Sequence, residues 1–126
     1  MKIDEIKATL ASFPYPDGWW VVTGAAMVLY GIRQEAGDID LGCTSELADK
    51  LQADGLLCGH TSDGKRKFLC AGNIEIFEGW LCDRVETVEG LPVISPDGLL
   101  QMKRALGREK DRRDIELLLS FLSAKT

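Results

Sequence analysis

Asp38 and Asp40 flank Ile39, and Leu41 and Cys43 follow. In an extended strand, side chains at i and i+2 leave the same face. Asp38 and Asp40 then project together, while Ile39 and Leu41 point into the core. Aspartate is depleted in strands, and adjacent carboxylates repel unless a positive charge lies between them. A divalent cation is the simplest such charge. Alternate strand residues are roughly 6 to 7 Å apart at the backbone, and paired catalytic metals sit about 3.5 to 4 Å apart. Side chains leaning together can therefore bracket a metal pair. The plainer alternative is a surface strand with two solvated acids, but the apolar run on its other side argues for a central strand.

Three further groups bear on that chemistry. In Asn73-Ile74-Glu75-Ile76-Phe77-Glu78, inward isoleucines turn Glu75 the other way. Glu75 is then either a third site carboxylate or the solvated side of an amphipathic strand. Strict alternation puts Glu78 on the isoleucine face. Thr23-Gly24-Ala25-Ala26 reads as a small-residue turn opening a helix. Such a turn either offers backbone N–H groups to a phosphate or simply packs tightly. The Thr23 hydroxyl either contacts phosphate or caps the helix. Around Gly107, Lys103 and Arg108 would neutralise a triphosphate. Helical pairs of Glu109 with Arg113 and Lys110 with Asp114 would explain many of the same charges. Arg33 touches a nucleotide or bridges to Glu35. Metal ligands beside a phosphate-binding turn are the requirements of phosphoryl or nucleotidyl transfer.

The elements that must position these groups follow from periodicity. Ile3, Ile6, Leu10 and Phe13 predict a helix over 3–12, broken by Pro14, Pro16, Asp17 and Gly18. Residues 19–23 predict a strand, 24–32 a buried helix, 35–37 a turn and 38–43 a strand. Ser45 and Glu46 start a helix with Leu47, Ala48 and Leu51 inward, ending near Gly55. Strands are expected at 56–60, 67–71 and 74–77, with Ser62-Asp63-Gly64 turning the first hairpin. Another is expected at 91–94. Ser95-Pro96 caps a helix that ends near Gly107. A last helix spans about 109–122 with Ile115, Leu118, Leu119 and Leu122 inward. The order of helices and strands predicts a mixed α+β layer fold.

The 126 residues, 45% hydrophobic, suit one domain with its own core. A net charge of −5 disfavours general nucleic-acid binding. A third reading, an RNA-binding domain built on the Lys103 to Arg113 patch, is the weakest for that reason. Cys43, Cys58, Cys70 and Cys82 lack metal-clip spacing and read as reduced thiols acting as small hydrophobes. Cys58 and His60 have no partners for a zinc site. Trp19, Trp20 and Trp80 read as core. Met1 to Leu10 has no apolar centre of a signal peptide, and no apolar run is long enough for a bilayer. The expectation is a cytoplasmic protein with no membrane partner.

The stretch from Trp20 through Thr23-Gly24-Ala25-Ala26 to Gly31, followed by Gly37-Asp38-Ile39-Asp40-Leu41, resembles the nucleotidyltransferase superfamily, whose fold is related to DNA polymerase beta. That pattern is a Gly-Ser or Gly-Gly turn opening a helix, an Asp-x-Asp strand, and a third carboxylate on a neighbouring strand. The chain is similar to its small bacterial branch, which includes antibiotic nucleotidyltransferases and nucleotidyltransferase-like members of toxin–antitoxin pairs. Leu100 to Lys103, Gly107 to Asp111 and Asp114 resemble that branch's C-terminal helices. The resemblance covers 19–43 well, 96–117 fairly and the middle poorly. It implies magnesium, as two ions, on Asp38 and Asp40, with Glu75 as third carboxylate. It places Gly24 against the phosphates, with Lys103 and Arg108 as further contacts. Ala25 stands where the pattern has Ser or a second Gly, leaving Thr23 as the substitute hydroxyl. The implied substrates are a nucleoside triphosphate and a hydroxyl acceptor on a small molecule, protein or RNA. With no separate acceptor-binding domain, the acceptor would come with a partner or second subunit. The alternative implied function is an inactive module that binds a protein partner, as an antitoxin does.

Overall fold

A computed structural model describes residues 1–70 and 73–124. Its centre is a seven-stranded mixed sheet. The strands are β1 (Trp19–Val22), β2 (Ile39–Cys43), β3 (Leu57–His60), β4 (Arg66–Cys70), β5 (Ile74–Glu78), β6 (Val85–Val88) and β7 (Leu91–Ile94), in the spatial order β3-β4-β5-β2-β1-β7-β6. The helices are α1 (Ile3–Ala11), α2 (Thr23–Leu29), α3 (Ser45–Ala53), α4 (Pro96–Leu106) and α5 (Arg112–Ala124), with a 3-10 turn at Glu109–Asp111 before α5. β2 runs antiparallel to β1 and parallel to β5, and β1 runs parallel to β7. The expected α+β architecture with two C-terminal helices is therefore present. Among the described residues, no helix is long and apolar enough to cross a membrane.

The central strands are buried because their apolar residues alternate in register. Ile39, Leu41, Ile74, Ile76 and Phe68 are almost fully buried on neighbouring strands. The helices contribute Ile6, Leu10, Leu47, Ala48 and Leu51 to the same core. α3 is fixed to this side by Arg66, which donates to Asp49 and Gln52 on the helix and makes a 2.6 Å bond to Glu78 on β5. Glu78 lies on the isoleucine face, as alternation requires. Gly42 is required where it sits, because a Cβ there would collide with the Trp20 indole. That indole donates to the Trp80 carbonyl at 2.9 Å. The four cysteines are free thiols.

Several boundaries differ from the sequence reading, each for a local reason. The cap of α3 is Thr44, whose hydroxyl accepts from the Leu47 amide at 3.1 Å. β4 closes at Cys70, and Ala71, expected in that strand, lies outside the described residues. β6 has no counterpart in the sequence reading. It is a half-exposed edge strand of alternating character that, among the described residues, pairs only with β7. Leu119 is 42% exposed, not inward. The buried face of α5 is rotated toward Asp114 and Leu118, and Phe121 meets the Tyr30 ring at 6.0 Å. The rotation lets Asp114 reach Lys103 at 3.0 Å.

Candidate active site

Asp38, Asp40 and Glu75 converge on one face of the sheet. One carboxylate oxygen from each lies within 4.8 Å of the others. Asp38 immediately precedes β2 and Asp40 lies within it, so they share a side by strand alternation. Glu75 joins them because β5 pairs with β2 in the register that sets Glu75 beside Asp40. Burial pushes the Asp40 carboxyl above its ordinary range; the Thr23 hydroxyl opposes the shift, and Asp38 and Glu75 add to it. The group is thus a crowded set of hard oxygen donors, of the kind that suits magnesium. The Lys67 ammonium sits 3.3 Å from Glu75 and offsets part of their mutual repulsion.

The acids form the floor of a cleft of about 770 Å³. Thr23, Gly24 and Arg33 line it near the start of α2, and Phe77 and Trp80 line it beyond Glu75. Trp80 is half-buried there, a departure from the expected core position, while Trp19 and Trp20 are buried. Lys103, Arg108, Lys110 and Arg113 come from α4, the 3-10 turn and α5.

Those cations differ in how far their charge is spent. Lys103 is 5% exposed and lies 3.3 Å from Asp111 and 3.0 Å from Asp114. Arg108 donates to both oxygens of Asp111, at 2.7 and 3.0 Å. These bonds hold the Asp111 carboxyl down at about 2. Two cations and two carboxylates therefore largely cancel within the wall. The helical pairs expected of Glu109 with Arg113 and Lys110 with Asp114 do not form. Residues 109–111 make a 3-10 turn, so α-helical spacing fails, and Glu109 pairs with Arg112 while Arg113 pairs with Glu116.

Arg33 bridges to Asp114 at 3.4 Å, not to Glu35. Its guanidinium packs on Gly24, where a Cβ would come within 3.1 Å of it. The sequence pattern around the acids gave no signal for this contact, because Arg33 lies in an irregular segment.

The turn at the start of α2 is shifted by one residue from the sequence reading. Thr23, with φ of 54°, is its left-handed residue. An L-residue in that conformation costs about 1–2 kcal/mol, and a β-branched one is a genuine outlier. Thr23 is 7% exposed, and its hydroxyl donates to Asp40 Oδ2 at 2.8 Å. Ala25 is fully buried and does not line the cleft. Of the eight residues singled out from the sequence, seven line one cleft and Ala25 belongs to the buried core.

No protein-family model matches the chain, and no curated protein matches it. Among solved structures, the chain is similar to a Thermotoga maritima protein named as a "putative nucleotidyltransferase". The two superpose with a TM-score of 0.61 at 18% identity, over 95% of this chain and 96% of that one. The chain therefore has a nucleotidyltransferase-like fold, and at that identity the likeness is one of fold.

Proposed function

We propose that this protein is a metal-dependent nucleotidyltransferase that moves a nucleoside monophosphate from a nucleoside triphosphate to a hydroxyl acceptor. The observation that carries the reading is the meeting of Asp38, Asp40 and Glu75 within 4.8 Å, in a cleft with a cation-bearing wall. The fold likeness supports the same class. Magnesium held by these acids would neutralise them, favour the acceptor alkoxide and stabilise the pyrophosphate leaving group.

Asp38 and Asp40 would be the constant ligands. Glu75 would complete the set or take the acceptor proton as a base. In the step itself, the acceptor oxygen bonds to the α-phosphorus and the bond to pyrophosphate breaks. The acceptor proton passes to Glu75 or to water. Arg33 and Lys110 would bind the triphosphate, with Lys103 and Arg108 contributing what their carboxylate partners leave. The acceptor class and membership of the small bacterial branch are part of the same proposal.

The test is product formation from each of the four nucleoside triphosphates, with and without magnesium, across small-molecule, protein and RNA acceptors. Magnesium-dependent transfer that is lost in the Asp38→Asn, Asp40→Asn double variant is the expected result. Transfer that survives in that variant refutes the proposal.

The neutralised state of Lys103 and Arg108 favours a second reading, a catalytically silent module that binds a protein partner. That reading expects no thermal shift with any triphosphate plus magnesium, and a partner that co-purifies.

A further inference from the structure

We infer that Thr23 is the residue that orients Asp40 for cation binding, and that it is not a phosphate ligand. The inference rests on the metal-site reading above and deepens it. Three observations carry it.

The first is a matter of donors. A threonine hydroxyl has a single O–H to give. That proton is committed to Asp40 Oδ2 at 2.8 Å. Ionised phosphate oxygens only accept, so the same hydroxyl cannot donate to one while it donates to Asp40.

The second is burial. Thr23 is almost wholly enclosed, and its part-buried bond goes to a carboxylate that stands beside two others. A hydroxyl donor here fixes the plane of the Asp40 carboxylate against the repulsion of Asp38 and Glu75. Groups that hold a metal ligand in this way govern affinity without touching the ion.

The third is the backbone. Thr23 sits at φ of 54°, where glycine would be at ease and a β-branched residue is strained. Gly24, next in the chain, has no positive φ to relieve. Thr23 therefore combines a strained conformation with a hydroxyl that reaches Asp40.

The experiment titrates the intact protein with manganese alone, followed by electron paramagnetic resonance, and records a thermal melt of each variant. Thr23→Ser keeps the hydroxyl and is expected to bind manganese within about twofold of the original. Thr23→Val keeps the branch and the strain but loses the donor; its affinity should fall about tenfold, with a changed line shape. Thr23→Gly removes both, and should melt higher than Thr23→Val while binding just as weakly. That divergence separates ligand orientation from plain stability. Manganese affinity within twofold of the original in both Thr23→Val and Thr23→Gly overturns the inference and leaves the metal site standing. An original protein that binds no manganese overturns the metal-site reading and this inference together.

Discussion

Lys103 and Asp111 form an ion pair in the protein interior, with Nζ 3.3 Å from Oδ1 and side chains only 5% and 1% exposed. Asp114 holds the same ammonium from α5, so one lysine ties α4 to both segments that follow it. Arg108 also holds Asp111 and Arg33 also holds Asp114, so losing the lysine leaves two carboxylates only partly compensated.

Lys103→Met is therefore expected to destabilise the fold by about 1.5–3 kcal/mol, read by urea unfolding. A substitution that acted only on a triphosphate would leave the unfolding midpoint in place. Lys110→Ala is the contrasting variant. Lys110 lines the cleft from the exposed 3-10 turn, so its loss should weaken triphosphate binding about five- to tenfold with unfolding unchanged. Isothermal titration with each triphosphate checks it.

The acid cluster should behave as a stability liability without its cation. Asp40→Asn removes one negative charge from a crowded, half-buried site while keeping an oxygen for the Thr23 hydroxyl. In metal-free buffer this variant should be more stable by about 1 kcal/mol. Magnesium should raise the melting temperature of the original protein and leave that of the variant unmoved. Equal magnesium shifts in the two proteins would count against Asp40 as a ligand.

Acid unfolding should report two depressed carboxyls. Arg66 holds Glu78 at about 2, from an ordinary 4.5, and Arg108 and Lys103 hold Asp111 at about 2, from an ordinary 3.8. A carboxyl whose folded pKa is lowered adds stability above its unfolded pKa and loses it as pH falls through the folded one. Stability from this pair should be fully present above about pH 5 and drain away toward pH 2. Glu78→Gln should flatten that acid limb while lowering stability at neutral pH. Urea unfolding across pH 2 to 7 would show it, and an unchanged slope would contradict the assignment.

Gly42→Ala tests how the aromatic end of the cleft is held. The added methyl collides with the Trp20 indole, which is bonded to the Trp80 carbonyl. A loss of about 1–3 kcal/mol is expected from overpacking, with a shift in tryptophan emission.

Much of this protein is written locally. The shared face of Asp38 and Asp40, the inward Ile74 and Ile76, and the Ser95 cap of α4 all follow from strand and helix periods that one segment sets for itself. The helix α4 ends at Gly107 in the left-handed conformation, as a glycine in that place predicts. Local patterns misled where a face depends on what it packs against. Leu119 fits the apolar period of α5, yet the buried face of the helix carries Asp114, paired with Lys103, and Leu118.

The sequence alone determined which residues can act as hard oxygen donors, and that two of them leave the same side of one strand. Tertiary structure alone decided that Glu75 meets them, that Lys103 and Arg108 face carboxylates, and that Thr23 bonds to Asp40. The reason is physical. Side-chain alternation is a property of a single backbone segment, whereas strand register and the choice of ion-pair partner arise only when distant segments dock.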